Sequence, residues 1–225
     1  MPFRLSYSSL KAFQTCAKQF YHLKVARDVE PFPAGKAALD GTKYHTALEL
    51  CIQQQSTKPA PVHLKRYARL LLEEYEQKHH YTLYPEYKIR RDDPSFVGII
   101  DLIAISPCGT KAEIIDHKFG KNKTDETQIL TQCWLAHKEF PDIKHFFAGY
   151  YWHIDRQIEV HSWSVEDVYA TIERQIKPEM AIVIKAVEDR NEQDFKPNPS
   201  GLCRAWCPVT TCVHNGQYQY TKDAE

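Results

Sequence analysis

Two short runs rich in β-branched residues, Phe96 to Ile105 and Ala112 to Lys118, each carry one aspartate among isoleucines and leucines. No other feature constrains the chain as strongly. Asp101 stands between Ile99-Ile100 and Leu102-Ile103, and Asp116 follows Ile114-Ile115. Strands of that composition are buried on both faces. An ionised carboxylate placed there is costly unless it is paired or bound to a cation. Ser106-Pro-Cys-Gly109 supplies turn chemistry between the runs, so they read as a hairpin. Two carboxylates facing each other across that hairpin repel unless a divalent cation sits between them. The sequence does not set the register, and a one-residue slip reverses the face. Asp116 and Lys118 are two apart and share a face of their strand, which brings an ammonium beside the acidic pair. Oxygen ligands of this kind suit Mg²⁺ or Mn²⁺ better than zinc. The plainer alternative is a buried Asp–Lys ion pair that merely holds the hairpin.

The remainder of the 225 residues is expected to build a core around this pair. Hydrophobic residues make up 43% and aromatics 12%, enough to exclude wholesale disorder. The balance of 29 Lys+Arg against 29 Asp+Glu excludes a globally basic nucleic-acid binder, so any such contact comes from local patches. Lys121 and Lys123 beside Lys118, and Lys18, Lys24 and Arg27 near the start, are the candidates. No apolar run suits a membrane helix, and the start lacks the layout of a signal peptide, so no membrane association and a cytoplasmic address are expected. A viral source is compatible with both.

Helices are expected from Ser8 or Ser9 through Tyr21, over about 35–55 and over 62–80, each with apolar residues three to four apart. Another is expected over 124–140, opened by Asp125 and Glu126 and stopped by Pro141. Strands over 144–153 and 157–163 turn at Asp155-Arg156, and Ser164 with Asp167 opens a last helix to about Arg190. The order is α+β. It implies one domain over 1–225: a helical part over 1–80, a catalytic β-sheet core over 81–165, and a helix with a cysteine-bearing tail over 166–225.

Gly98-Ile-Ile-Asp101 followed by Asp116-His-Lys118 and then a helix resembles the core of the PD-(D/E)xK nuclease superfamily. Gly41-Thr-Lys-Tyr-His45 is similar to the Gly-x-x-x-His helix of its RecB-like branch, and Gln128 to Gln132 with Pro141 is similar to that branch's Gln-x-x-x-Tyr helix. Gln132 departs from the pattern, standing where tyrosine is usual. The resemblance implies a restriction-endonuclease-like fold, a mixed sheet flanked by helices. It further implies His45, Asp101, Asp116 and the carbonyl of His117 as metal ligands, Lys118 beside the attacking water, and Gln128 near the scissile strand. Glu86 falls where the family often has another acidic residue, but taken by itself it reads as a surface carboxylate.

Seven cysteines lie at 16, 51, 108, 133, 203, 207 and 212. Three within ten residues point to a metal or iron–sulfur site in a reducing compartment. Some RecB-like members, the CRISPR-associated exonucleases among them, carry a cluster on one N-terminal and three C-terminal cysteines. The resemblance therefore implies a [4Fe–4S] cluster on Cys16, Cys203, Cys207 and Cys212, although the three-residue gap between Cys203 and Cys207 departs from the usual two. Four thiolates suit structural Zn²⁺ equally by ligand type. His214 is a weaker candidate ligand, and Trp206 is expected to pack against the cluster rather than stack on a base. Cys51, Cys108 and Cys133 read as free, buried thiols.

These readings converge on a Mg²⁺- or Mn²⁺-dependent DNA exonuclease acting in recombination, repair or DNA processing, on single- or double-stranded DNA with a free end. A second copy or a recombination protein would be its protein partner. Two alternatives stay open. One is a non-catalytic DNA-binding or assembly module with the same fold. The other is a zinc-stapled binder of RNA or protein in which Asp116 and Lys118 form only a structural pair.

Overall fold

The computed structural model of the protein describes residues 3–120 and 124–217. Lys121 and Lys123 lie outside the described residues. The chain divides into two compact units, one spanning Ala34–Lys177 and the other combining Met1–Pro33 with Pro178–Glu225.

The first unit holds a five-stranded sheet in sequence order: β1 (Thr82–Asp92), β2 (Ser95–Ile105), β3 (Lys111–Lys118), β4 (His145–Trp152) and β5 (Gln157–Ser164). All neighbours are antiparallel except β3 and β4, which run parallel. A parallel pair needs a crossover, and α5 (Glu126–Glu139) supplies it, so the sheet is mixed as expected. The hairpin turn forms at the expected place, with Gly109 at φ 73°. β1 was not anticipated, because Pro85 within Thr82-Leu-Tyr-Pro-Glu-Tyr argues against a strand. The chain escapes that objection because β1 is an edge strand, where a missing N–H donor is tolerated.

Helix α3 (Lys36–Gln53), α4 (Lys65–Arg69) and the π-helical turns of Leu70–Lys78 pack on one face of the sheet. Leu48, Cys51, Ile52, Leu64, Tyr67 and Leu71 meet Leu83, Leu102, Ala104 and Ile115 there. Helix α5 is buried from Ile129 through Ala136 and touches four strands, which explains why its apolar residues show no single stripe. Its Trp134 lies edge-on to Phe96 at 5.8 Å and under the Arg91 guanidinium at 4.1 Å. The last expected helix begins at the Ser164–Asp167 capping box, but a π-helical turn at Ile172–Ile176 separates α6 (Val165–Thr171) from α7 (Lys177–Asp189).

In the second unit, α1 (Tyr7–Thr15) is capped by Ser6 rather than Ser8 or Ser9, since Ser6 Oγ accepts from the Ser9 N–H at 3.2 Å. Cys16 is extended, at φ −162°, and separates α1 from α2 (Ala17–Phe20). Phe13, Phe20 and the buried Phe195 form the aromatic core of this unit. Lys18 pairs with Glu192 at 3.3 Å. Trp206, expected to pack inward, is 69% exposed.

Cys108 also departs from expectation. It is exposed on the β2–β3 turn, whereas Cys51 and Cys133 are buried as expected. Hydroxyls of Ser106 and Thr110 lie 3.3 and 3.1 Å from its sulfur. These hydrogen bonds lower its pKa to about 7, and the thiolate is the reactive form. Iodoacetamide at neutral pH is therefore expected to modify Cys108 well before Cys51 or Cys133, and more slowly once Ser106 and Thr110 are replaced by Ala and Val. Peptide mass spectrometry over time reads this out, and equal labelling of the three would refute it.

Candidate active site

The site gathers where β2 and β3 stop pairing. The ladder's last pair is Leu102↔Ile115, one residue short of Asp101 and Asp116. The two aspartates are thus near neighbours, as the hairpin reading required, and each is addressed by a different helix.

On one side His45, from the middle of α3, places Nδ1 2.9 Å from Glu86 Oε1 and 3.6 Å from Asp101 Oδ2. Ligand-type atoms of His45, Glu86 and Asp101 all lie within 4.8 Å of one another. Glu86 is therefore not the surface carboxylate its sequence context suggests. It is partly buried, sits at φ 45° and drops out of the β1–β2 ladder at the position facing Asp101. A left-handed backbone in a non-glycine strand residue is strained. It aims the carboxylate at His45.

On the other side, Asp116 is nearly fully buried and receives two amides from α5 on the same oxygen. Gln128 Nε2 donates to Oδ1 at 2.7 Å and Gln132 Nε2 at 3.0 Å. Those residues are four apart, one helical turn, and so reach the same atom. Lys118 Nζ approaches Oδ2 at 2.5 Å. Gln132 thus has a definite place: it holds Asp116, as Gln128 does. No sequence signal marked this role, because an amide replacing an aromatic ring looks like a loss.

The electrostatics follow from crowding. Burial, and then the charge of Asp116, push the Asp101 carboxyl up to about 7 against the pull of His45 and of the His117 N–H. That N–H donates to Asp101 Oδ2 at 2.7 Å. Burial alone would lower the His45 pKa, but the Glu86 hydrogen bond and the nearby carboxylates raise it above the ordinary histidine value. His117 is the reverse case. Its buried ring lies among Tyr67, His45 and His153, and burial with two neighbouring imidazoles holds its pKa far below the usual value.

Three carboxylates, one imidazole and one ammonium converge here, and a carboxylate whose charge is disfavoured is what a bound cation would relieve. The donor set of oxygens plus one nitrogen fits a hard divalent ion. The family model of the PD-(D/E)XK nuclease superfamily matches residues 4–212. The chain belongs to this superfamily. As a PD-(D/E)XK protein it has the restriction-endonuclease-like α+β fold, and its β2–β3 hairpin carries the Asp and Asp-x-Lys elements. The solved structure of a "Putative exonuclease" from Eubacterium rectale is similar over 99% of this chain and 90% of that one, with a TM-score of 0.52 and 10% identity. At that identity the likeness is one of fold. No curated protein matches the chain. Among the described residues no helix is long and apolar enough to cross a membrane.

Proposed function

We propose that this PD-(D/E)XK protein is a Mg²⁺- or Mn²⁺-dependent DNA exonuclease of the RecB-like type, serving recombination, repair or DNA processing in the cytoplasm. The convergence of His45, Glu86 and Asp101, with Asp116 and Lys118 beside them, carries this reading. His45, Asp101, Asp116 and the His117 carbonyl would hold the ion, and Glu86 is added to that set. A bound cation would supply Lewis acidity, lowering the pKa of a water and screening the phosphate.

The chain's own groups do the rest. Lys118 is held beside Asp116, where its ammonium can orient water and offset charge growing on the attacked phosphate. Gln128 and Gln132 fix the Asp116 carboxylate so that it need not reorganise during reaction. The His117 N–H does the same for Asp101. In this reading residues 81–165 form the catalytic core of a single nuclease domain.

The proposal extends to a [4Fe–4S] cluster on Cys16, Cys203, Cys207 and Cys212, with structural zinc as the alternative. Two observations support a thiolate site. The charges of Cys16, Cys203 and Cys212 all reach the Cys207 thiol and, after burial, help raise its pKa. Backbone N–H groups of Asn198 and Ser200 point at the sulfurs of Cys16 and Cys203.

The test is cleavage of end-labelled linear DNA by anaerobically purified protein in Mg²⁺, Mn²⁺ or EDTA, beside Asp116→Ala and Lys118→Ala, with iron, sulfide and zinc measured on the same samples. The expected result is a metal-dependent product ladder absent from both variants, and iron with sulfide in equal amounts. No cleavage by folded, cluster-loaded protein would overturn the enzyme reading in favour of a DNA-binding module. Zinc without sulfide would overturn the cluster.

A further inference from the structure

The two edges of the sheet are built differently. β1 carries the devices that keep a free edge from pairing: Pro85, a break in the ladder at Glu86, and the exposed charges of Lys88 and Arg90. From α5 the Lys138 ammonium also reaches the Arg90 carbonyl. β5 has none of these. Its run Gln-Ile-Glu-Val-His-Ser-Trp-Ser holds no proline, glycine or lysine. It pairs with β4 at every position from Gln157 to Ser164, without a bulge. Among the described residues no strand lies on its other side.

One face of β5 is bare as well. Residues opposite each other in a ladder share a face, so Ile158 lies with Tyr151 and Val160 with Gly149. Tyr151 packs on Tyr67 of α4 at 4.2 Å. The helical layer ends there. Among the described residues, the apolar cluster it forms draws on β1, β2, β3 and β4 but not on β5. Ile158 and Val160 are 54% and 40% exposed as a result. The solvated face of an antiparallel sheet ordinarily carries polar residues. An open edge with bare β-branched side chains is a template for another strand.

The sequence of β5 specifies which strand fits. Two identical strands associating antiparallel about a two-fold axis set residue i opposite j and j opposite i. Matching faces then require the axis to pass through a residue. With the axis on Val160, Glu159 faces His161 of the second copy, and His161 faces Glu159 of the second copy. On the other face Val160 meets its own equivalent, and Ile158 meets Ser162 of the second copy. Moving the axis by one residue sets Glu159 against Glu159 or His161 against His161, and like charges directly opposite are destabilising. Within one chain His161 Nε2 already lies 2.9 Å from Glu159 Oε1, so both groups stand on the same surface. We propose that β5 pairs antiparallel with β5 of a second copy of this chain, Val160 on the axis, joining the two sheets into one. This interface goes beyond the nuclease reading and does not depend on it.

The test is sedimentation velocity of the full chain in EDTA over a concentration series. Wild type is expected to dimerise. Glu159→Lys removes both unlike pairs, and His161→Glu sets carboxylates against each other, so each variant alone should dimerise about 10-fold or more weakly. Mixed in equal amounts, the two variants regain one Lys–Glu and one His–Glu pair and should form a heterodimer. A merely structural role for either residue gives no such rescue. As a second measurement, Val160→Cys should yield a disulfide-linked dimer under mild oxidation beyond the wild-type background, because residues paired on the axis lie within disulfide reach. Ser162→Cys should not, since the two copies of that position are roughly 14 Å apart along the strands. A circular dichroism melt checks that each variant is folded. A monomeric wild type would overturn the proposal, including one whose β5 captures a strand of another protein. So would a dimer that neither variant weakens, a mixture no better associated than its components, or crosslinking at Ser162→Cys in place of Val160→Cys.

Discussion

Asp101→Asn is expected to make the metal-free protein more stable at pH 8 while lowering metal-dependent cleavage about 10³-fold. Both effects have one origin, a carboxylate placed where its charge is opposed by burial and by Asp116. In the unfolded chain an aspartate titrates near 3.9, whereas here the value is about 7. The folded state therefore holds its proton more tightly. The associated stability is complete below the unfolded value and is lost as pH rises through about 7. Asparagine, uncharged at any pH, removes that loss. In EDTA the gain of the variant over wild type should be larger at pH 8 than at pH 5 by on the order of 2 kcal/mol. With the cation present the order reverses, because wild type keeps a charged ligand that the variant lacks. Thermal melts at the two pH values with and without Mn²⁺, beside the cleavage assay, test both halves. A variant less stable than wild type in EDTA at pH 8 would show that Asp101 is not under electrostatic stress.

Gly149→Ala should have the largest effect on stability alone. Gly149 lies in β4, between Ile115 of β3 and Val160 of β5. A Cβ added there would fall 1.8 Å from the Glu159 carbonyl oxygen and 2.9 Å from the Val160 Cα. These are backbone atoms held by the ladder, so the conflict cannot be relieved by turning a side chain. A cost of about 3 kcal/mol, at the upper end of overpacking penalties, lowers Tm by roughly 6–12 °C in a chain of this size. Gly41→Ala is the contrasting substitution. It lies inside α3 with nothing within 4 Å of the added carbon, and helix propensity alone should stabilise it by about 0.5–1 kcal/mol. Equal melting temperatures for the two variants would refute the argument.

The β2–β3 hairpin was legible because its chemistry is local. Isoleucine-rich strands, a Ser-Pro-Cys-Gly turn and two misplaced carboxylates announce themselves between Phe96 and Lys118. The capping box at Ser164 and the crossover helix over 126–139 were legible for the same reason. What stayed hidden depends on contacts far apart in sequence. β1 could not be recognised because whether Pro85 is tolerable depends on the strand lying at an edge. Glu86 looked superficial because nothing nearby in sequence shows that α3 will bring His45 to within hydrogen-bonding distance of it. Gln132 looked like a missing tyrosine because its partner, Asp116, lies sixteen residues back on a different element. Cys108 was misplaced by a general habit of thiols, to be buried, which a four-residue turn overrode.

The backbone of Glu86 sets the ease of the strand against the carboxylate that faces His45. Its φ of 45° is a conformation in which any side chain is a burden and glycine is at ease. Selection for heat resistance alone would therefore pull this position toward glycine, relaxing the strand. That same change would take away the group His45 leans on. Keeping a carboxylate here means accepting a weak point in the sheet, so improved thermostability is better sought at sites such as Gly41, where an added methyl meets nothing within 4 Å.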